Sequence, residues 1–356
     1  MGKGAGELVV NGRLIGVEEP PFVIAEMSGN HNQSLDTALA IVDAVAATGA
    51  HALKLQTYTP DSLTIDARSE SFLIDDPKSL WHDRSLYQLY EQAHTPWEWH
   101  EAIFRRCRDL GLTVFSTPFD EAAVDRLESM GVPAYKIASF ENNHLPLIRK
   151  VAATGKPLFL STGMATVAEL DEAVATARGA GCDRLVLLKC TSTYPAAADT
   201  INLATLPHLR QLFTAEVGLS DHTRGIGVAV AAVAMGATVI EKHFTLSRAA
   251  GGVDAAFSME PHEMRQLVAE SLQAWQALGR VAYGVTTAEA PSLRFRRSIY
   301  VVEDVRRGEE LNEHNLRIIR PGDGLAPKYY GLILGRRASR DIRKGTPLDW
   351  AAVLDG

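Results

Sequence analysis

The sequence predicts a (β/α)8 barrel followed by a small C-terminal domain, and three observations point there. Eight short apolar segments recur between residues 22 and 243. Helix-length amphipathic stretches separate most of them, and strands that alternate with helices build a parallel sheet. No GxGxxG follows the first segment, which favours a closed barrel over an open, doubly wound sheet.

In chain order, ELVVNGRLIGVEE (7–19) reads as a β-hairpin turning at Asn11–Gly12, placed to close the bottom of the barrel. The strand segments are FVIAEM (22–27), ALKLQ (52–56), TVFSTP (113–118), AYKIAS (134–139), PLFLST (157–162), LVLLKC (185–190), EVGLSD (216–221) and TVIEKH (238–243). Helical patterns such as LDTALAIVDAVAAT, PWEWHEAIFRRCRDL, DEAAVDRLESM and ATVAELDEAVATARGA lie between them. Gly49, Gly111, Gly131 and Gly181 stand where helices stop. Thr57–His94 is too long for an ordinary βα loop and reads as a lid. The eighth helix falls at roughly 260–279 by its apolar spacing. The barrel domain is therefore set at 1–279 and a linker at 280–293. Residues 294–356 form a small α+β or β-rich domain with the runs SIYVVEDV, LRIIRP and GLILGRRAS. It has little core of its own, so docking on a barrel or a second subunit would help it fold.

A net charge of -7 leaves no cationic excess for nucleic acid. The charge is uneven: residues 291–356 carry +4 and the first 290 carry -11. A basic appendage suggests self-association or an anionic ligand, with a solvated Arg-rich surface as the plain alternative. Cys107, Cys182 and Cys190 form no CxxC and read as small core residues in a reducing cytoplasm. The opening MGKGAGELVV lacks a signal-peptide h-region, and Gly6 stands where a myristoylation signal needs Ser or Thr. The longest apolar stretch, 225–240, is too short and glycine-broken to span a bilayer. The expectation is a soluble cytoplasmic protein with no membrane partner.

Polar residues gather at the C-terminal ends of the strand segments, the active-site face of such a barrel. They include Glu26, Lys54, Gln56, Thr117, Lys136, Ser139, Ser161, Ser220, His222, Glu241 and His243. Strand alternation puts Lys54 with Gln56, Ser220 with His222, and Glu241 with His243 on shared faces. Charged groups in apolar strands need partners, so ion pairs plugging the barrel mouth are the alternative to a site. His222 and His243 end adjacent strands and suit a divalent ion, although either could be a packed core histidine or a general base. The two lysines imply an anionic ligand, with serines completing a phosphate or carboxylate cradle.

The strings IAEMSGNHNQS, ALKLQTYTPDSLTID, FSTPFDE, AYKIASFE, LSTGMAT, CTSTYP, GLSDHT and IEKHFTL resemble the nonulosonic (sialic-type) acid synthases. The tail with RPGDGLAPKYY resembles their antifreeze-like (SAF) domain, so the resemblance runs from about residue 8 to the end. It implies a transferase that joins phosphoenolpyruvate (PEP) to an acetamido sugar and releases phosphate by C–O cleavage. It also implies a divalent metal, Mn2+ foremost with Co2+ or Mg2+ as alternatives, on His222 and His243. Carried over by motif, PEP falls to Lys54, Thr117, Lys136, Ser139, Ser161 and Ser220. The sugar falls to Glu26, Gln56, Glu141, Tyr194 and Asp254, and Arg320 reaches it from a domain-swapped partner of a homodimer. Glu26, Lys54, Lys136 and His243 are the expected catalytic groups. Taken singly, Tyr194 also reads as packing, Thr117 as a helix cap, Asp254 as a turn residue and Arg320 as surface. AEMSGNHNQS, HTPWEWH and GGVDAAFSMEP resemble the branch that uses 2,4-diacetamido-2,4,6-trideoxy-altrose. Ser28, Gln33 and Ser192 depart from the N-acetylmannosamine branch. A sialic or legionaminic acid synthase is the alternative, and a catalytically dead sugar-binding protein is the rival of another class.

Overall fold

The computed structural model describes residues 7–77 and 79–354. Most of the N-terminal decapeptide considered above, Gly6 included, lies outside the described residues. Eight parallel strands close into a barrel: β1 (Phe22–Glu26), β2 (Ala52–Thr57), β3 (Thr113–Pro118), β4 (Tyr135–Ile137), β5 (Leu158–Ser161), β6 (Leu185–Cys190), β7 (Glu216–Ser220) and β8 (Val239–His243). β8 pairs with β1, with His243 opposite Glu26 and Val239 opposite Phe22. All eight strands are buried along almost their whole length, because helices cover the outside and side chains fill the inside.

Strand alternation makes the interior a gradient. Phe22, Phe115 and Phe159 stack across the lower barrel, with centroids 6.4 Å apart for Phe22–Phe159 and 5.4 Å for Phe115–Phe159. Two or more positions further along the strands the same inward faces carry Glu26, Lys54, Ser161, Ser220 and Glu241, all buried. Gly218 on β7 has no room for a side chain: a Cβ there would lie 2.4 Å from the Val239 carbonyl oxygen. The aromatic floor excludes water from below, so charge is confined to the upper end.

The first helix shows why the connections form where the sequence places them. α1 (Leu35–Thr48) starts at Ser34, whose side chain accepts from the Thr37 N–H, and stops at Gly49 with φ +83°. Ala38, Ile41, Val42 and Val45 recur at helical spacing and are all buried. The N-terminal hairpin, Val9–Val10 with Arg13–Leu14, turns through Asn11 and Gly12, both at positive φ. The Asn11 side chain donates to Thr113 Oγ1, 3.2 Å away at the start of β3, so the hairpin sits at the N-terminal end of the barrel.

The 57–94 segment has its own structure. A short helix (Pro60–Leu63) leads to a two-residue antiparallel pair, Leu73–Ile74 with Arg84–Ser85, and then to α2 (Leu86–Ala93). The capping box of Ser85 and Gln88 starts α2.

Residues up to Gly279 form one compact unit and those from Arg280 a second. In the second, β9 (Ser298–Val301) pairs antiparallel with β10 (Leu316–Ile319) over a small core that includes Ile299, Val301, Leu311, Leu316 and Ile333. GLILGRRAS is not a β run as expected. It opens as a helical turn (Tyr330–Ile333), reverses at Gly335 with φ +84°, and only Arg337 and Ala338 then make bridges. Burial of Ile333 in this core, not strand propensity, decides that segment.

Candidate active site

The strand ends floor a cavity of about 480 Å3. At its base Lys54 Nζ lies 2.9 Å from Glu26 Oε1 and 3.3 Å from Glu241 Oε1, and it donates to Thr117 Oγ1 at 3.3 Å. Lys136 Nζ is 3.7 Å from Glu241 Oε1 and donates to the Ile137 carbonyl. All four charged side chains are buried. Burial lowers the Lys54 ammonium, but Glu241 and Glu26 more than compensate and raise it. Lys136 is lowered by burial, which its more distant carboxylates do not offset. Burial also pushes Glu26 up, yet His243, Lys54, Lys136 and the Gln56 amide, 2.8 Å from Oε1, hold it far below the usual carboxylate range. Glu26 is thus ionised, and Lys136 is the lysine less closely matched by carboxylates, 3.7 Å from Glu241 against 2.9 and 3.3 Å for Lys54.

Serines ring this base. Ser161 Oγ and Glu241 Oε2 are buried without a hydrogen-bond partner, and Ser220 Oγ donates to Glu241 Oε1 at 3.2 Å. Ser139 Oγ accepts from the Gly163 N–H at 3.1 Å. A Cβ at Gly163 would meet Ser192 Oγ and Ser139 Oγ at 2.3 and 2.6 Å, so only glycine lets this loop approach. Asn142 Nδ2 donates to the Gly163 and Ser161 carbonyls and fixes the same corner. Cationic lysine beside under-satisfied hydroxyls suits an anionic phosphate or carboxylate.

His222 and His243 stand with ring centroids 5.3 Å apart. His222 Nδ1 donates to the Thr191 carbonyl at 3.0 Å, which leaves Nε2 as its basic nitrogen. His243 Nε2 lies 3.2 Å from Glu26 Oε2, while its Nδ1 is buried without a hydrogen-bond partner and 3.7 Å from Asp254 Oδ2. Burial pushes His243 down to about 4, so it is neutral at neutral pH. Two oriented imidazoles, of which His243 is neutral and keeps an orphaned nitrogen, beside carboxylates fit a divalent cation. Among the described residues no group of three or more His, Cys, Asp or Glu side chains is placed to hold a metal ion. An ion on the two imidazoles would take its remaining donors from oxygen.

Tyr194 and Phe257 flank the histidines, with Tyr194 4.5 Å from His222 and Phe257 4.9 Å from His243 between centroids. Asp254 is pushed up to about 6 by burial, against the hydrogen bond from Ser28 Oγ. Glu141 is pushed up to about 7, also by burial, and its Oε2 has no partner. These two carboxyls change charge near neutral pH, unlike Glu26.

All of the expected site residues line the cavity except Thr117 and Arg320. Thr117 is buried, accepts from the Lys54 ammonium at 3.3 Å and is not among the residues lining the cavity. Arg320 is exposed on the second unit. Glu241, in the sequence one more strand-end charge, lines the cavity too; its period-two relation to His243 is the signal for a place in the site. Ser28, which the sequence marks only as a branch difference, Cys190, expected in the core, and Trp81 also line the cavity. Cys190 Sγ is 3.9 Å from His222 Nδ1. A second ion pair, Lys242 with Asp221 at 2.8 Å, lies outside this site, and Lys242 also donates to the Thr223 and Gly225 carbonyls.

Comparison with known proteins gives the same picture. Residues 41–283 match the NeuB family and residues 296–354 match the SAF domain. Pseudaminic acid synthase of Helicobacter pylori is 41% identical over 93% of this chain and 97% of its own. Pseudaminic acid synthase of Campylobacter jejuni serotype O:2 is 43% identical over 92% of this chain and 95% of its own. The crystal structure of an N-acetylneuraminic acid synthetase from Leptospira borgpetersenii superposes with a TM-score of 0.72 at 29% identity, covering 82% of this chain and 96% of that one.

Proposed function

The chain belongs to the NeuB family, and from that premise we propose that it condenses PEP with 2,4-diacetamido-2,4,6-trideoxy-altrose to give pseudaminic acid and phosphate. The observation that carries the reading is the buried Glu26–Lys54–Glu241–Lys136 array facing two oriented histidines at one barrel mouth. Such an array is expensive to bury and is suited to an anion beside an electrophile. The choice of sugar is supported by the 41–43% identity to pseudaminic acid synthases against 29% to the sialic acid enzyme.

In this reading C3 of PEP forms a bond to the sugar aldehyde carbon. Water then adds at C2, and the C2–O bond breaks to release phosphate. Lys54 and Lys136 hold the negative charge of PEP, with Ser139, Ser161 and Ser220 as hydroxyl donors. Thr117 keeps the Lys54 ammonium in place. Glu26, ionised and in contact with His243, positions the water or takes its proton. Gln56, Glu141, Tyr194 and Asp254 surround the sugar. A divalent ion on His222 and His243, with Mn2+ the favoured species, would supply Lewis-acid polarisation of the aldehyde. The protein acts as a homodimer in which Arg320 of one copy caps the barrel of the other. Support comes from the +4 appendage and from Val281 and Tyr283, which are 89% and 97% exposed in the linking segment. Among the described residues no helix is long and apolar enough to cross a membrane, in keeping with a cytoplasmic enzyme.

Phosphate release from PEP in the presence of a divalent metal tests the reading. Turnover is expected with 2,4-diacetamido-2,4,6-trideoxy-altrose and little with N-acetylmannosamine. The reverse preference would assign the chain to the sialic acid branch, and no release with any acetamido sugar would remove the reaction altogether.

A further inference from the structure

The cavity has two unlike halves. Its floor holds the lysines, carboxylates and serines described above. Its outer wall comes from the 57–94 segment and is largely apolar, with Leu63, Ile74, Leu86 and Leu89 lining it beside the polar Asp76 and Ser79.

That wall is built into the fold. Tyr58 packs edge-on against Phe119 and Tyr90, with centroids 5.1 and 5.9 Å away. Trp81 Nε1 donates to the Val253 carbonyl at 2.8 Å, which ties the segment to the loop carrying Asp254. Gln33 Nε2 donates to the Gln92 and His94 carbonyls at 3.0 and 2.7 Å, which ties the end of α2 to the loop after β1. Gly29 makes that closeness feasible, because a Cβ there would meet Val253 Cγ2 at 2.4 Å and the Ala93 backbone at 3.0 Å. The apolar side chains of such a preformed wall gain from burying methyl groups, and a hydroxyl set against them is left without a partner.

We propose that this wall determines sugar specificity: Ile74 and Leu86 receive the 6-methyl group of a 6-deoxy acetamido sugar and reject the 6-hydroxymethyl form. The inference rests on the proposed condensation. A hydrophobic pocket discriminates groups of this size by about tenfold to a hundredfold. The wall residues take no part in bond making, so the effect belongs in the KM for the sugar.

The test uses the full-length metal-loaded protein and compares 2,4-diacetamido-2,4,6-trideoxy-altrose with the same sugar carrying a 6-hydroxyl. For the wild type, kcat/KM should favour the 6-deoxy sugar by at least about tenfold. Ile74→Thr and Leu86→Asn, singly and combined, should lower that preference severalfold through the sugar KM. The KM for PEP should stay within about twofold, which also reports an intact fold. Ile74→Val should keep the preference. An active wild type with equal kcat/KM for both sugars overturns the inference alone, as do polar variants that retain the full preference or that lose both activities equally. If neither sugar releases phosphate with the wild type, the proposed reaction fails and takes the inference with it. Should the combined variant not fold, Ile74→Thr alone, at a half-buried position, decides.

Discussion

His243 Nε2 lies 3.2 Å from Glu26 Oε2, while the other oxygen of the same carboxylate contacts Lys54 at 2.9 Å. One carboxylate thus joins the proposed metal ligand to the proposed anion site. Glu26→Gln removes the charge and keeps the shape. It is expected to lower kcat by about 10²- to 10⁴-fold, as loss of a general base does, with the KM for PEP little changed. An unaltered kcat would reduce Glu26 to a structural partner of Lys54.

The two lysines are expected to separate in stability and converge in ligand binding. Lys54→Met leaves Glu26 and Glu241 without their shared cation and should destabilise the fold by about 3–5 kcal/mol. Lys136→Met removes an ammonium that burial already disfavours, so denaturant midpoints should fall little or rise. Both should weaken PEP binding by about 1.5–3 kcal/mol, the worth of a charge-assisted hydrogen bond. Calorimetry showing equal losses for PEP and sugar would return these lysines to a packing role.

Replacing His222 or His243 with Ala should lower bound metal measured by elemental analysis and abolish turnover, while circular dichroism stays native. Chelation should inactivate the wild type, and Mn2+ or Co2+ should restore it. Full activity in a chelator-treated, metal-free sample is the outcome that refutes this assignment.

Glu141 adds a pH dependence whose sign follows from burial. Its carboxyl is raised from 4.5 to about 7, so between those values the folded protein keeps a proton that the unfolded chain has lost. Its contribution to stability is present below about pH 4.5 and is lost as pH rises towards 7. Glu141→Gln, which stays neutral, should become more stable relative to wild type across that window, by on the order of 3 kcal/mol at its upper end. Parallel stability curves for the two proteins between pH 4.5 and 7 would contradict the burial argument.

Sharing of the site between subunits is tested by mixing two inactive proteins, Arg320→Ala and His243→Ala. With capping in trans, a mixed dimer has one site with both defects and one with neither, so activity should return on subunit exchange. With capping in cis every site keeps one defect. No gain over the Arg320→Ala residual would then appear.

The strand ends, the helix stop at Gly49, the hairpin turn at Asn11–Gly12 and the charged mouth were all legible in the sequence. Each depends on local rules: alternation along a strand or positive φ. What lies opposite a given side chain depends on strand stagger and loop packing, which local spacing does not encode. Only the tertiary structure joined Thr117 to Lys54, set Glu241 between the two lysines and gave His222 and His243 their polar partners. Only it turned the long 57–94 segment into a largely apolar wall. That wall is assembled from residues such as Leu63, Ile74 and Leu86, which have no shared periodicity, and it is held by contacts from Gln33 and Val253. Chain-distant contacts decided which chemistry the strand ends can perform and what kind of surface a sugar meets above them.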